Sequence, residues 1–92
     1  SICDAILTSQ PGNLTFAIGK RLFAGGLRVS DDDVRGAVRA ASAHLKIVSE
    51  PGGAAALAAA LHRLPAALKG KRVGVLVTGG NVDPADFAGI LA

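Results

Sequence analysis

Two short stretches hold the residue types best able to do chemistry. Glu50 is the only glutamate in the chain and stands directly before Pro51-Gly52-Gly53. A carboxylate at a helix start either satisfies the free backbone N–H groups there or sits beside a ligand that the glycines let approach closely. Thr78-Gly79-Gly80-Asn81 follows the apolar run 73–77. Open α/β sheets bind ligands outside the carboxyl ends of their strands, so this loop is either part of a site or simply a tight turn. It lacks the G-x-x-x-x-G-K-[ST] and G-x-G-x-x-G spacings of nucleotide loops. Elsewhere, His44 and His62 read as surface residues without an H-E-x-x-H motif, and Cys3 reads as a small buried hydrophobe. Lys20, Lys46, Lys69 and Lys71 read as solvated side chains, and no self-contained hydrolase constellation emerges.

These stretches need elements to hold them. After the turn signal Pro11-Gly12-Asn13, Leu14, Ile18, Leu22 and Phe23 recur at helical spacing, predicting a short helix that Gly25-Gly26 stops. Residues 27–29 read as a brief strand. Ser30 followed by Asp31, Asp32 and Asp33 places a hydroxyl cap and three acids at the positive end of a helix dipole. Val34, Val38, Ala41 and Leu45 form the buried stripe of that helix, with Arg35 and Arg39 to one side. Ile47 and Val48 make a short apolar pair, and a further helix is expected to start at Pro51 and to run through the Ala-rich segment 54–61. Residues 73–77 have the signature of a buried parallel strand, and Pro84 opens a last helix through Leu91. The pattern is α/β, with two strands that need sheet neighbours from elsewhere.

The chain has 92 residues, enough for a single domain, and half of them are hydrophobic. Much of that half is Ala, and Phe16, Phe23 and Phe87 are the only aromatics, so the core is expected to be thin. The net charge of +3 comes from Lys and Arg residues scattered along the whole chain. Dispersed charge without interleaved aromatics marks a solvated surface and argues against nucleic acid as a partner. No run of about 18 apolar residues offers a membrane span. A lone cysteine excludes an internal disulfide and multi-cysteine zinc patterns, and with no signal-peptide pattern a cytoplasmic location is expected.

The blocks S-I-C-D-A, P-G-N-L-T-F, V-S-D-D-D-V, S-E-P-G-G-A and V-G-V-L-V-T-G-G-N-V-D-P occur in this order. Across residues 1–86 the chain resembles the C-terminal part of the catalytic domain of pyridoxal-phosphate-dependent threonine and serine dehydratases. The resemblance implies an α/β fold, a fragment of a fold-type II large domain with short parallel strands and flanking helices. Residues 1–92 would then form one partial domain.

It also implies roles. The hydroxyl of Thr78 would hydrogen-bond the pyridine nitrogen of pyridoxal phosphate, and Glu50 would lie close to the cofactor. Gly79, Gly80 and Asn81 would line the pyridine end of the pocket. Asp4 and Ala5 match the family's A-D-G block on the phenolic side, although relatives often carry Gly where this chain has Ala5. The family's cofactor-carrying lysine, in an S-F-K-x-R-G block, and its glycine-rich phosphate loop have no counterpart in these residues. The cation-ligand region of relatives also lies upstream, so no metal ligand is assigned.

The implied reaction is elimination of water from L-threonine or L-serine to give a 2-oxo acid and ammonia, with the 92 residues alone inactive. The implied partners are the amino-acid substrate and the rest of the catalytic domain; a further copy of the chain is expected separately, because the buried strand's edges and the helix faces lack partners. An amino-acid racemase shares the same blocks. A small α/β binding or assembly module without catalysis is the reading from a different class.

Overall fold

The computed structural model describes residues 1–92. Four α-helices form: α1 (Asn13–Leu22), α2 (Asp31–Ala40), α3 (Ala55–His62) and α4 (Pro84–Leu91). Short 3₁₀ turns occur at Asp4–Ile6, Gly52–Ala54 and Ala66–Leu68.

α2 is the centre of the fold, and its start follows directly from the sequence. The Ser30 hydroxyl accepts from the Asp33 backbone N–H at 3.1 Å, and the Asp33 carboxylate accepts from the Ser30 N–H at 2.9 Å. This reciprocal cap satisfies two donors that no helical carbonyl can reach. α2 continues into one π turn at Ala41–Leu45, closed by Lys46 in the left-handed conformation at φ 59°.

Val34, Ala37 and Val38 of α2 and Ala41 of the π turn are buried, and around the first three gather Cys3, Ala54 and Ala58. Ile2, Val29, Leu57, Phe87 and Ile90 pack around this centre half-buried. Small side chains let α3 approach α2 closely. At Gly36 an added Cβ would lie 3.1 Å from Nε2 of His62. Arg63, just past α3, reaches back to Asp33 at 2.7 Å, and Arg39 donates to the Ile90 carbonyl of α4 at 2.6 Å. α4 starts where expected: the Asp83 carboxylate accepts from the N–H groups of Ala85 and Asp86 at 2.8 and 3.3 Å, with Pro84 at the first position.

Three expectations need correction. The short parallel strands do not form: residues 27–29 and 73–77 carry no β-ladder. A ladder needs extended neighbours along its length. Between residues 47–50 and 78–80 there is a single backbone hydrogen bond, from the Glu50 N–H to the Gly79 carbonyl at 3.0 Å, which is too little to make a ladder. Val75 and Val77 are half-buried, whereas Val73 and Leu76 are exposed.

The helix expected from Pro51 opens instead as the 3₁₀ turn Gly52–Ala54 and becomes α-helical at Ala55. Leu45 leaves the buried stripe and is exposed, because the wider π turn carries it off the α-helical face. α1 forms as its spacing predicts but packs against no other element, so Leu14, Ile18, Leu22 and Phe23 all stay exposed.

Candidate functional site

The two chemically suggestive stretches meet. The Thr78 N–H donates to the Gly53 carbonyl at 3.3 Å, and the Glu50 N–H donates to the Gly79 carbonyl at 3.0 Å. These bonds hold the Thr78–Asn81 loop against the Gly52–Ala54 turn by backbone alone. The approach leaves no room for a Cβ at two positions, Gly53 and Gly80, where it would meet backbone. A Cβ on Gly53 would overlap the Gly79 carbonyl oxygen and lie 2.8 Å from the Gly79 nitrogen. One on Gly80 would lie 2.5 Å from the Val48 carbonyl oxygen. One on Gly79 would run into Oε1 of Glu50, so the Glu50 carboxylate lies against the open face of Gly79.

Glu50 is half-buried, while Thr78, Gly80 and Asn81 are exposed. Thr78 therefore has its backbone tied down and its side chain at the surface, not packed into the core. A hydroxyl so placed is free to donate one hydrogen bond and accept others.

The third block joins from the other side. The Asp4–Ile6 turn packs on the Gly52–Ala54 turn, and a Cβ on Gly52 would stand 3.7 Å from both the Ala5 Cβ and Ile6 Cγ2. Asp4 and Asn81 line a common cleft of about 580 Å³ with Pro51, Asp83, Asp86 and Arg35. Thr78 and Glu50 do not line that cleft. The seven predicted residues thus fall into two groups joined by the glycine turn: Thr78, Glu50, Gly79 and Gly80 on one side, Asp4, Ala5 and Asn81 on the other.

Two carboxylates at the start of α2 have lowered pKa values. Asp33 falls from 3.8 to about 2 because its carboxylate accepts from the Ser30 N–H and from Arg63. Asp31 is lowered chiefly by the Ser1 hydroxyl, 2.8 Å away, and then by the Ile2 N–H. Both serve to anchor the helix that carries the core, and neither belongs to the groups above. His44 and His62 are exposed, Cys3 is buried, and all four lysines are exposed, as their contexts predict.

One residue escaped the sequence reading. Ser49 is fully buried, and its hydroxyl donates to the Glu50 carbonyl at 3.0 Å, with the Gly79 carbonyl 3.4 Å away. The only signal was its place as the polar residue between apolar Val48 and Glu50 in S-E-P-G-G.

Residues 1–79 match the family described as pyridoxal-phosphate dependent enzyme. The chain is 40% identical over 88 residues to phenylserine dehydratase from Ralstonia pickettii, covering 96% of this chain and 27% of that protein. It is 38% identical over 92 residues to serine racemase from Schizosaccharomyces pombe, covering 100% and 28% respectively. To beta-hydroxyaspartate dehydratase from Paracoccus denitrificans it is 52% identical over 83 residues, covering 90% and 26%. The chain thus spans little more than a quarter of the length of these relatives. With glycine backbones converging beside an exposed hydroxyl, and with the match running through residue 79, the chain belongs to the pyridoxal-phosphate dependent enzyme family.

Proposed function

We propose that this chain is the C-terminal part of the catalytic domain of a pyridoxal-phosphate-dependent dehydratase. That enzyme would remove water from a β-hydroxy-α-amino acid and release a 2-oxo acid and ammonia. The observation that carries the reading is the exposed Thr78 hydroxyl on a backbone pinned between the Gly53 carbonyl and the Glu50 N–H. The relatives' names support it, since phenylserine, serine and β-hydroxyaspartate all bear a hydroxyl on the β-carbon. L-Threonine and L-serine are the simplest members of that class and the substrates proposed.

Bound pyridoxal phosphate supplies an electron sink for the charge that develops at the substrate α-carbon. This chain holds the pyridine end. Thr78 offers the ring nitrogen a neutral hydroxyl, where a carboxylate would keep it protonated. By leaving that nitrogen without a fixed positive charge, Thr78 would favour loss of the β-hydroxyl over return of a proton. Glu50, lying along Gly79, closes the same edge, and the glycines at 79 and 80 let the loop seat against the Glu50 side chain and the Val48 carbonyl, which sets where Thr78 stands. Asn81, Asp4 and Ala5 flank the turn from the cleft side. The lysine that carries the cofactor and the loop that holds its phosphate belong to the rest of the domain, so the 92 residues alone are expected to be inactive.

A substrate with a second carboxylate is a further reading, favoured by the 52% identity to the β-hydroxyaspartate enzyme. Racemisation of serine is the alternative within the family, supported by the 38% identity to a serine racemase. The complete polypeptide, assayed with L-threonine, L-serine, 3-hydroxyaspartate and phenylserine, is expected to form 2-oxo acid and ammonia only with pyridoxal phosphate. Conversion of L-serine to D-serine without ammonia would establish the racemase. Failure to bind pyridoxal phosphate at all would leave the binding-module reading.

A further inference from the structure

Ser49 is the one fully buried polar side chain in the molecule, and nothing in the proposed chemistry uses it. Its single hydroxyl proton faces two carbonyls on the two segments that meet there: Glu50 at 3.0 Å and Gly79 at 3.4 Å. The Gly79 carbonyl already accepts from the Glu50 N–H at 3.0 Å, and the Glu50 carbonyl accepts from the Ala54 N–H at 3.1 Å. The hydroxyl therefore bridges a turn and a loop that are otherwise joined by backbone bonds alone.

The position of this bridge relative to Thr78 matters. Thr78 is held on one side by its own N–H, bonded to Gly53 at 3.3 Å, which is a long contact. On the other side it is held through the carbonyl of the next residue, Gly79. Glycine at positions 79 and 80 leaves that second hold without side-chain packing to stiffen it. The direction of the Thr78 hydroxyl then depends on how firmly the Gly79 carbonyl is gripped, and the Ser49 hydroxyl, shared with the Glu50 carbonyl, adds a second and longer contact to it at 3.4 Å.

We propose that Ser49 is a positioning residue for Thr78: by bridging the Glu50 and Gly79 carbonyls it fixes the angle at which the Thr78 hydroxyl meets the ring nitrogen of pyridoxal phosphate. The inference rests on the reading of Thr78 given above.

The test uses the complete cofactor-loaded enzyme and the variants Ser49→Ala, Ser49→Cys, Thr78→Ala and Ser49→Ala/Thr78→Ala. The readouts are the pyridoxal phosphate dissociation constant, the absorption maximum of the bound cofactor and the melting temperature of the cofactor-free protein. Ser49→Cys keeps nearly the same volume and offers only a weak donor. Loss of one hydrogen bond predicts a dissociation constant raised by about 3- to 10-fold in Ser49→Ala. The absorption maximum moves in the same direction as in Thr78→Ala. Ser49→Cys behaves like Ser49→Ala even where it restores the melting temperature, and Ser49→Ala adds nothing further in the Thr78→Ala background.

A wild-type dissociation constant and spectrum in Ser49→Ala overturns the proposal, as does full recovery of both in Ser49→Cys, which would make Ser49 a space filler. An additive effect in the double variant also overturns it, since Ser49 would then act independently of Thr78. If Thr78→Ala itself changes neither readout, the assignment of Thr78 fails and the Ser49 proposal falls with it.

Discussion

Gly53→Ala separates a site built on backbone contact from an ordinary helix start. Residue 53 lies in a 3₁₀ turn at negative φ, where alanine by itself is well tolerated. Exchanging glycine for alanine at such a position normally stabilises a protein by about 0.4–1 kcal/mol, by restricting the unfolded chain. Here the new Cβ meets the Gly79 backbone, 2.8 Å from its nitrogen and 3.1 Å from its carbonyl carbon, and overlaps its oxygen. Ordinary contact begins at 3.4 Å, so the loop must withdraw by about 0.6 Å or more.

That withdrawal stretches the 3.0 Å bond from Glu50 to about 3.6 Å and the 3.3 Å bond from Thr78 to about 3.9 Å, past useful length. Two lost bonds cost about 1–3 kcal/mol, which offsets the gain and leaves a net loss of up to about 2.6 kcal/mol. Thr78 moves with the loop, and a displacement of this size at a binding group costs about tenfold or more in cofactor affinity. Gly89→Ala is the control: it lies within α4, has no atom within 4 Å of its added Cβ, and should stabilise by about 0.5–1 kcal/mol. Urea unfolding and pyridoxal phosphate titration of the complete enzyme supply both numbers. A Gly53→Ala protein as stable as the parent, with unchanged affinity, would refute the close approach of the two backbones.

Further predictions concern the frame. The lowered pKa of Asp33 means that its contribution to stability is fully present above 3.8 and is lost as pH falls toward about 2. Asp33→Asn should therefore lose stability at neutral pH and decline less steeply between those limits, as followed by helical circular dichroism in acid. Val38→Ala, at the fully buried centre of α2, should cost about 2 kcal/mol in urea unfolding, because no neighbour can fill the space without moving a helix. Cys3 is 6% exposed and should resist a thiol reagent in the folded protein, then react at once after denaturation.

How much was legible in the sequence depended on whether a rule was local. Ser30 with its three aspartates, and Asp83 with Pro84, name their helix starts because a cap is decided within four residues. The 73–77 run looks like a strand because of its composition, yet pairing is decided by neighbours far along the chain, and among these residues none lies alongside it. α1 shows the same limit: its apolar spacing predicts the helix correctly, but burial needs a partner surface, and Leu22 and Phe23 remain 73% and 79% exposed.

In the site, the glycines and the single glutamate stood out by type, but their meeting across about thirty residues of chain does not follow from spacing. Only the resemblance of the ordered blocks pointed to it. Ser49 escaped notice because a serine beside a charged residue looks like surface, and only the packed structure places it inside.

The most direct test of the account is the protonation state of the pyridine nitrogen, read by nitrogen NMR of ¹⁵N-labelled pyridoxal phosphate bound to the complete enzyme. The account predicts an unprotonated nitrogen hydrogen-bonded to Thr78, a signal preserved in Thr78→Ser, displaced in Thr78→Ala and driven toward the protonated form in Thr78→Asp. A nitrogen signal identical in the wild type and all three variants would contradict it.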